Sequence, residues 1–383
     1  MTNTLLEYGL LASILAAVYP ILGYPVLLGA IAFFRPRPVR RAGMTPTVSI
    51  LIPAYNEADC IAATIENKLA QDYPADRLQI IVVSDASDDG TDDIVPRYAT
   101  QGVRLLRRSQ RQGKAAALNE AVSQATGEII VFSDANSTFA TDAVRRLVEN
   151  FADPRVGYVT GNLEYRHTGE TSGRGSGAYM RYENCLRRLE SRVGSVIGVN
   201  GGVDAMRRAL YRDVPAEQIT DFVLPLRVIA AGYRVVFDER AQSCEFANTE
   251  LGSEFRMRVR VALRALHGLA YVREALNVLR RPLAAFCIVS HKILRYASFV
   301  FLALALALNA LLAPHSPFLA ALLVCQIAFY ALALAGLSGA LPGALRSLTA
   351  LPTYFLVSNV AFGIAAVRFA RGDTVVTWRP RAG

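Results

Sequence analysis

At 383 residues, 52% hydrophobic and 19% charged, with a mean hydropathy of +0.28, the chain is too apolar for an ordinary soluble protein, whose charged share is about 25%. The formal net charge of +9 comes with no nucleic-acid recognition motif and no aromatic–basic interleaving, so attraction to anionic lipid is expected and a nucleic-acid partner is not. Cys60, Cys185, Cys244, Cys287 and Cys325 are odd in number and form no Cys-x-x-Cys pair, which argues against a disulfide framework or zinc site and for a reducing compartment.

In chain order, Leu5 to Phe34 carries one charge, Glu7, and exceeds the ~20 residues needed to cross a hydrocarbon core. Pro20 and Pro25 are kink points within it. The basic residues Arg35, Arg37, Arg40 and Arg41 follow this run, as expected for a retained anchor rather than a cleaved leader. They place the N-terminus outside and the next domain in the cytosol. Residues 1–41 are thus read as anchor and basic flank, and residues 42–250 as the cytosolic domain.

That domain alternates short β-branched runs with helical stretches. Strands are expected at Thr47–Ile52, Leu78–Val83 and Glu128–Phe132, with helices at Asp59–Ala70 and Gly113–Ala125 between them. Near-continuous apolar strands fit a parallel sheet covered on both faces, hence an α/β doubly wound domain.

Residues 251–297 read as interface helices. Phe255, Val259, Leu263, Leu266 and Ala270 repeat at helical spacing while Arg256, Arg260 and Arg264 line another face, and a second helix, Ala284–Tyr296, carries His291, Lys292 and Arg295. Residues 298–368 hold about three apolar stretches near spanning length, Ser298–Ala313, Pro317–Leu337 and Thr349–Val367, before a tail over 369–383. Three further crossings put that tail outside, whereas Arg368, Arg371, Arg379 and Arg381 favour the inside. Its side stays open.

Ligands of open α/β sheets bind beyond the carboxyl ends of the strands. Pro53-Ala-Tyr55-Asn56-Glu57, Asp85 through Gly90-Thr91, and Asp134-Ala-Asn136 occupy those positions. Asp88 and Asp89 read as turn residues preparing Gly90. Glu57 suits either a helix start or ligand contact. Gly113-Lys114 is half of a phosphate loop, but the earlier glycine is missing and Ala115 stands where a Walker motif needs Ser or Thr, so ATP hydrolysis is not expected. His167, His267, His291 and His315 are isolated and read as structural or interfacial.

These motifs, with Gln71-Asp72-Tyr73-Pro74 and Gly113-Lys114-Ala-Ala-Ala-Leu118-Asn119 in the same order, resemble glycosyltransferase family 2 from Val48 to about Leu269. The membrane layout resembles its hyaluronan, chitin-oligosaccharide and poly-N-acetylglucosamine synthase branch. The resemblance implies a GT-A, Rossmann-like α/β nucleotide-sugar domain inserted between transmembrane helices, with amphipathic interface helices.

Carried over residue by residue, it makes Asp85 the base-recognition carboxylate and Pro53, Tyr55 and Glu57 the loop that meets the nucleotide. Lys114 becomes a nucleotide-site cation, and Asp134 contacts nucleotide and metal. Asn136 takes the second metal position, where the family more usually has Asp, and so brings one negative charge fewer. Mg or Mn would neutralise charge developing on the leaving diphosphate. Asp221 would be the base, with Thr220 replacing the usual Glu. Val199 through Arg208 resembles the acceptor-side glycine loop, in which Asp204 and Arg207 suit either substrate contact or structural ion pairs.

The family's Gln-x-x-Arg-Trp interface motif is altered here. Arg260 can hold the Arg place as a phosphate contact, but Met257 and Val261 replace Gln and Trp, which puts processivity in doubt. Trp378 resembles a C-terminal synthase segment that reaches back to the nucleotide, and equally suits an interfacial anchor.

The implied function is inverting transfer from a nucleotide-sugar, a UDP-sugar first, to a growing polysaccharide or glycolipid, by a multi-pass protein of the cell (inner) membrane with its catalytic domain in the cytoplasm. Membrane lipids and a polysaccharide or lipid-linked acceptor are the implied partners. Two alternatives stand: a single-addition transferase acting on a polyprenyl-linked acceptor, and a non-catalytic nucleotide-sugar-binding scaffold of an export complex.

Overall fold

The computed structural model describes residues 2–166, 173–246, 251–337 and 343–375. Trp378, Arg379, Arg381 and His167 lie outside the described residues.

Apolar, β-branched segments form an eight-stranded sheet whose strands are β1 (Val48–Ala54), β2 (Leu78–Ser84), β3 (Val103–Arg107), β4 (Ile129–Ser133), β5 (Thr138–Phe139), β6 (Val156–Arg166), β7 (Val203–Arg207) and β8 (Arg234–Phe246). The spatial order is β3-β2-β1-β4-β7-β6-β8-β5. The first four are parallel, with Val48 opposite Leu78 and Ile129, and Ile80 opposite Val103. β7 then runs antiparallel to both β4 and β6, while β6 and β8 are parallel. Strands buried on both faces need apolar side chains throughout, and β1 is buried along its whole length.

Two hydrophobic cores follow from that pleat. Leu51, Ile81 and Ile130 pack on Ala117, Leu118 and Ala121 of the Lys114–Ser123 helix, whereas Ile50, Ile52 and Val82 pack on Ile61 and Ile65 of the Ala58–Leu69 helix. Each such aliphatic side chain contributes about 1.5–3 kcal/mol when fully buried.

Among the described residues four helices are long and apolar enough to cross a membrane: Asn3–Phe34, Ser298–His315, Pro317–Leu337 and Leu348–Ala370. The first is interrupted by a π turn at Tyr19–Gly23 that contains Pro20, where the missing N–H breaks the helical ladder. The amphipathic Leu251–Tyr271 helix packs along the last of them, Leu263 against Ala365 and His267 against Phe369. The segment from Pro282 to Tyr296 lies against the N-terminal helix instead. There Phe286 and His291 flank the Tyr24 ring and Ser290 shares a hydrogen bond with Tyr19. His291 is isolated in sequence but is held between Glu190, at 2.6 Å, and Glu183, at 3.4 Å.

Candidate active site

The cleft forms where the parallel strands end. β1 turns at Asn56, whose positive φ of 55° is one that asparagine tolerates, and the Ala58–Leu69 helix begins after Glu57. The loop after β2 is laced to that turn. Asn56 Nδ2 donates to Asp88 at 2.8 Å, the Glu57 amide donates to Thr91 Oγ1 at 2.9 Å, and the Ala58 amide donates to Asp89 at 2.9 Å. Asp88 and Asp89 thus build the turn around Gly90, at φ 94°. Tyr55 lies in the same loop, with the Arg111 guanidinium 3.5 Å from its ring centre. Pro53 is buried within β1, paired with Val83.

Asp85 is fully buried at the end of β2. Its carboxylate accepts the backbone amides of Gln112, at 3.0 Å, and Gly113, at 2.7 Å, with Arg108 3.4 Å away. This fixes the entrance to the Lys114–Ser123 helix and aims Lys114 into the cleft.

Lys114 joins two carboxylates that are far apart in sequence. Its Nζ donates to Asp134 Oδ1 at 2.7 Å and lies 3.6 Å from Asp221 Oδ2. Burial opposes its charge, but Asp134 and then Asp221 outweigh that cost and hold the ammonium above the ordinary lysine range.

Asp221 sits in the first turn of the Thr220–Ala230 helix and accepts a 3.0 Å hydrogen bond from Thr220 Oγ1. Gly201 presses against it. With φ at 84°, only a residue lacking Cβ fits easily, and a methyl there would collide with the Asp221 carboxylate. Behind Gly201, its own amide and the Tyr158 hydroxyl both donate to Asp204 Oδ2, at 3.0 and 2.8 Å. Burial, with Asp221 adding to it, pushes the Asp204 carboxyl up to about 7, against the hydrogen bonds that lower it. Arg207 is tied to the carbonyls of Phe151, Asp153 and Val156, a structural role.

Negative charge accumulates on the Asp134 side. Burial raises the Glu57 carboxyl, its Cys60 partner opposes this, and Asp134, Asp89 and Glu245 push it further up. Among the described residues no group of three His, Cys, Asp or Glu is arranged to hold a metal ion. Asp134 and Asn136 share one loop at the end of β4 and offer hard oxygen donors, the chemistry that Mg and Mn prefer. Arg260 lies on the Leu251–Tyr271 helix one turn before Arg264, which donates to the carbonyls of Glu217 and Gln218 in the segment leading to Asp221.

Sequence reasoning missed two residues here. Glu245, buried near the end of β8, accepts a short hydrogen bond from Ser137, and Gly202 leaves room for its carboxylate. Lys68 is 0% exposed and donates to the Ser137 carbonyl at 2.6 Å and to Asn67 at 2.9 Å, bracing the loop that carries Asp134 and Asn136. A signal for Lys68 existed: it continues the buried helical stripe of Ile61, Thr64 and Ile65.

Residues 49–214 match the family model described as glycosyl transferase family 2. It is 27% identical over 264 residues to a poly-β-1,6-N-acetyl-D-glucosamine synthase of Staphylococcus aureus, covering 63% of this chain and 64% of the relative's length. Its likeness to the synthase of the same description from Staphylococcus epidermidis is 27% identity over 222 residues, 56% of this chain and 53% of that one. Among solved structures it is similar to the mannosyltransferase PcManGT from Pyrobaculum calidifontis, in complex with GDP-Man and Mn2+. That likeness has a TM-score of 0.71 at 26% identity and covers 96% of this chain and 99% of that chain. The fold is GT-A-like, and the likeness to PcManGT takes in the flanking apolar helices.

Proposed function

We propose that the protein is an inverting glycosyltransferase that moves a sugar from a nucleotide diphosphate to a hydroxyl of a glycan or glycolipid held at the membrane. The convergence of Asp134 and Asp221 on the Lys114 ammonium carries this reading, because it sets a leaving-group site and a base side by side.

In the proposed reaction the donor's diphosphate lies over Asp134 and Lys114, and Tyr55, Glu57 and the buried Asp85 shape the nucleotide end. Lys114 turns from the carboxylates towards the phosphate oxygens. A divalent cation held by Asp134 and Asn136 would neutralise the charge that develops on the diphosphate. On the other side, Asp221 takes the proton from the acceptor hydroxyl. That oxygen forms its bond to the anomeric carbon from the face opposite the diphosphate, the carbon–oxygen bond to phosphate breaks, and its electron pair leaves with the diphosphate. One displacement inverts the anomeric centre. Arg260 is the proposed phosphate contact from the interface helix.

The staphylococcal relatives, described as poly-β-1,6-N-acetyl-D-glucosamine synthases, favour an N-acetylhexosamine unit and a growing polysaccharide as acceptor, and a UDP-sugar is the donor proposed for that reading. A second reading has its own support. The likeness over nearly the whole chain to PcManGT, which was solved in complex with GDP-Man, favours a GDP-sugar, and Val261 in place of the acceptor-stacking Trp favours single addition to a lipid-linked acceptor. In both readings the domain faces the cytoplasm of a multi-pass inner-membrane protein, divided at 1–41, 42–250, 251–297, 298–368 and 369–383. The test is nucleoside diphosphate release by the full chain in nanodiscs, screened over UDP- and GDP-sugars with Mn or Mg and a polyprenyl phosphate or short glycan as acceptor. Metal-dependent release from one donor is expected; no release from any donor, with nucleotide binding intact, contradicts the transferase reading in favour of a scaffold.

A further inference from the structure

Away from the Asp134–Asp221 cleft, a cavity of about 250 Å³ opens where the chain leaves the N-terminal apolar helix and meets the Asn277–Pro282 turn. Arg37, Arg234, Arg280 and Arg281 line it, Ile229 and Leu283 add apolar wall, and among the described residues no Asp or Glu lines it. It falls below the roughly 300–1,000 Å³ of sites for drug-sized ligands, too small for a nucleotide-sugar but suited to a single phosphate-bearing headgroup.

The arginines are not equivalent. Arg234 is spent on structure: its Nε donates to the Gly194 carbonyl at 3.0 Å, and its Nη2 to the Arg37 and Ser191 carbonyls at 2.8 Å. Arg281 gives one nitrogen to the Ala230 carbonyl at 3.2 Å and lies across Gly232, where a Cβ would approach that nitrogen to 2.9 Å. The side chains of Arg37 and Arg280 make no hydrogen bond or ion pair within the described residues, and both residues are exposed. Each is preceded by bare apolar side chains. Phe33 and Phe34, each 78% exposed, come before Arg35 and Arg37, and Val278 and Leu279, 64% and 96% exposed, come before Arg280. Unpaired guanidinium groups beside uncovered aromatic and aliphatic side chains suit the boundary between acyl chains and anionic headgroups.

We propose that this cavity binds the phosphate of an anionic phospholipid, with Arg37 and Arg280 on the phosphate oxygens and Val278 and Leu279 entering the acyl region. Guanidinium favours this ligand because its paired N–H groups match two phosphate oxygens at once. Gly194 and Ser195 in the cavity wall begin the segment that runs to Gly201, so a bound headgroup ties the lipid surface to the acceptor side of the cleft.

The test is native mass spectrometry of the full chain in detergent, titrated with phosphatidylglycerol or with phosphatidylcholine. Wild type is expected to bind phosphatidylglycerol at least about tenfold more tightly, and the Arg37→Gln/Arg280→Gln pair to lose that preference. Arg273→Gln, an exposed arginine outside the cavity, is expected to keep it, and Leu279→Glu to lose it with every cavity arginine present. Unchanged binding by the double variant overturns the proposal. So does an equal loss in Arg273→Gln, which indicates diffuse charge, or displacement of the lipid by millimolar inorganic phosphate, which indicates a site for a soluble anion.

Discussion

The parallel half of the sheet, β3-β2-β1-β4, and the mixed half, β7-β6-β8-β5, supply one cleft in different ways. The parallel half delivers Glu57, Asp85, Lys114 and Asp134 from strand ends or the helix starts that follow them, so each position is set by a nearby stretch of chain. The mixed half delivers Gly201, Asp221 and Glu245 from segments that meet only in the tertiary fold. The proposed donor side is therefore local in sequence and the acceptor side is not, and substitutions on the two sides should fail differently.

The largest expected effect is on the acceptor side. Asp221→Asn keeps the shape but cannot take a proton, and should lower kcat by about 10²–10⁴, read as nucleoside diphosphate release under saturating donor. Gly201→Ala comes next. The strained φ and the collision with Asp221 should displace the base and cost on the order of 10²-fold in kcat, with the donor KM nearly unchanged.

Two donor-side substitutions that leave Asp134 in place should have smaller effects, on metal affinity and on stability. Asn136→Asp restores a second negative charge to the proposed metal site and should lower the half-saturating Mn concentration by about tenfold, measured as activity against added Mn. The smallest effect concerns Lys68, whose ammonium burial pushes down to about 7 despite the opposing pull of Glu245. A cation depressed in the folded state makes the unfolded chain bind more protons between about 7 and the ordinary lysine range. Stability should therefore rise with pH across that window. Lys68→Met should flatten this rise in thermal melts, and an unchanged slope would show that Lys68 is not the titrating group.

Much of the donor half was legible in the sequence. The apolar runs at residues 47–52, 78–83 and 128–132 announced β1, β2 and β4 to within two residues at either end, and polar residues follow each of them at the cleft. Position gave less about partners. Asp85 reads from sequence as a strand-end carboxylate for base recognition, and the sequence does not show that its two oxygens accept the amides before Lys114. The Val199–Arg208 glycine loop was visible, but the reason for Gly201 depends on Asp221 approaching from another helix. His291 looked solitary because Glu183 and Glu190 lie on a helix about a hundred residues earlier. Ala284–Tyr296 was expected at the membrane interface from its basic residues. Two of these are tied inward to that same helix, His291 to Glu183 and Glu190 and Arg295 to Glu183.

The division of labour between the halves is tested most directly by measuring UDP and GDP binding with Mn by calorimetry beside sugar transfer, in wild type, Asp134→Ala and Asp221→Asn. The account expects Asp134→Ala to lose both binding and transfer, and Asp221→Asn to bind nucleotide as wild type does while transfer falls by about 10²–10⁴. Transfer that survives in Asp221→Asn, or nucleotide binding that disappears with it, would contradict a base that acts on the acceptor hydroxyl without holding the nucleotide.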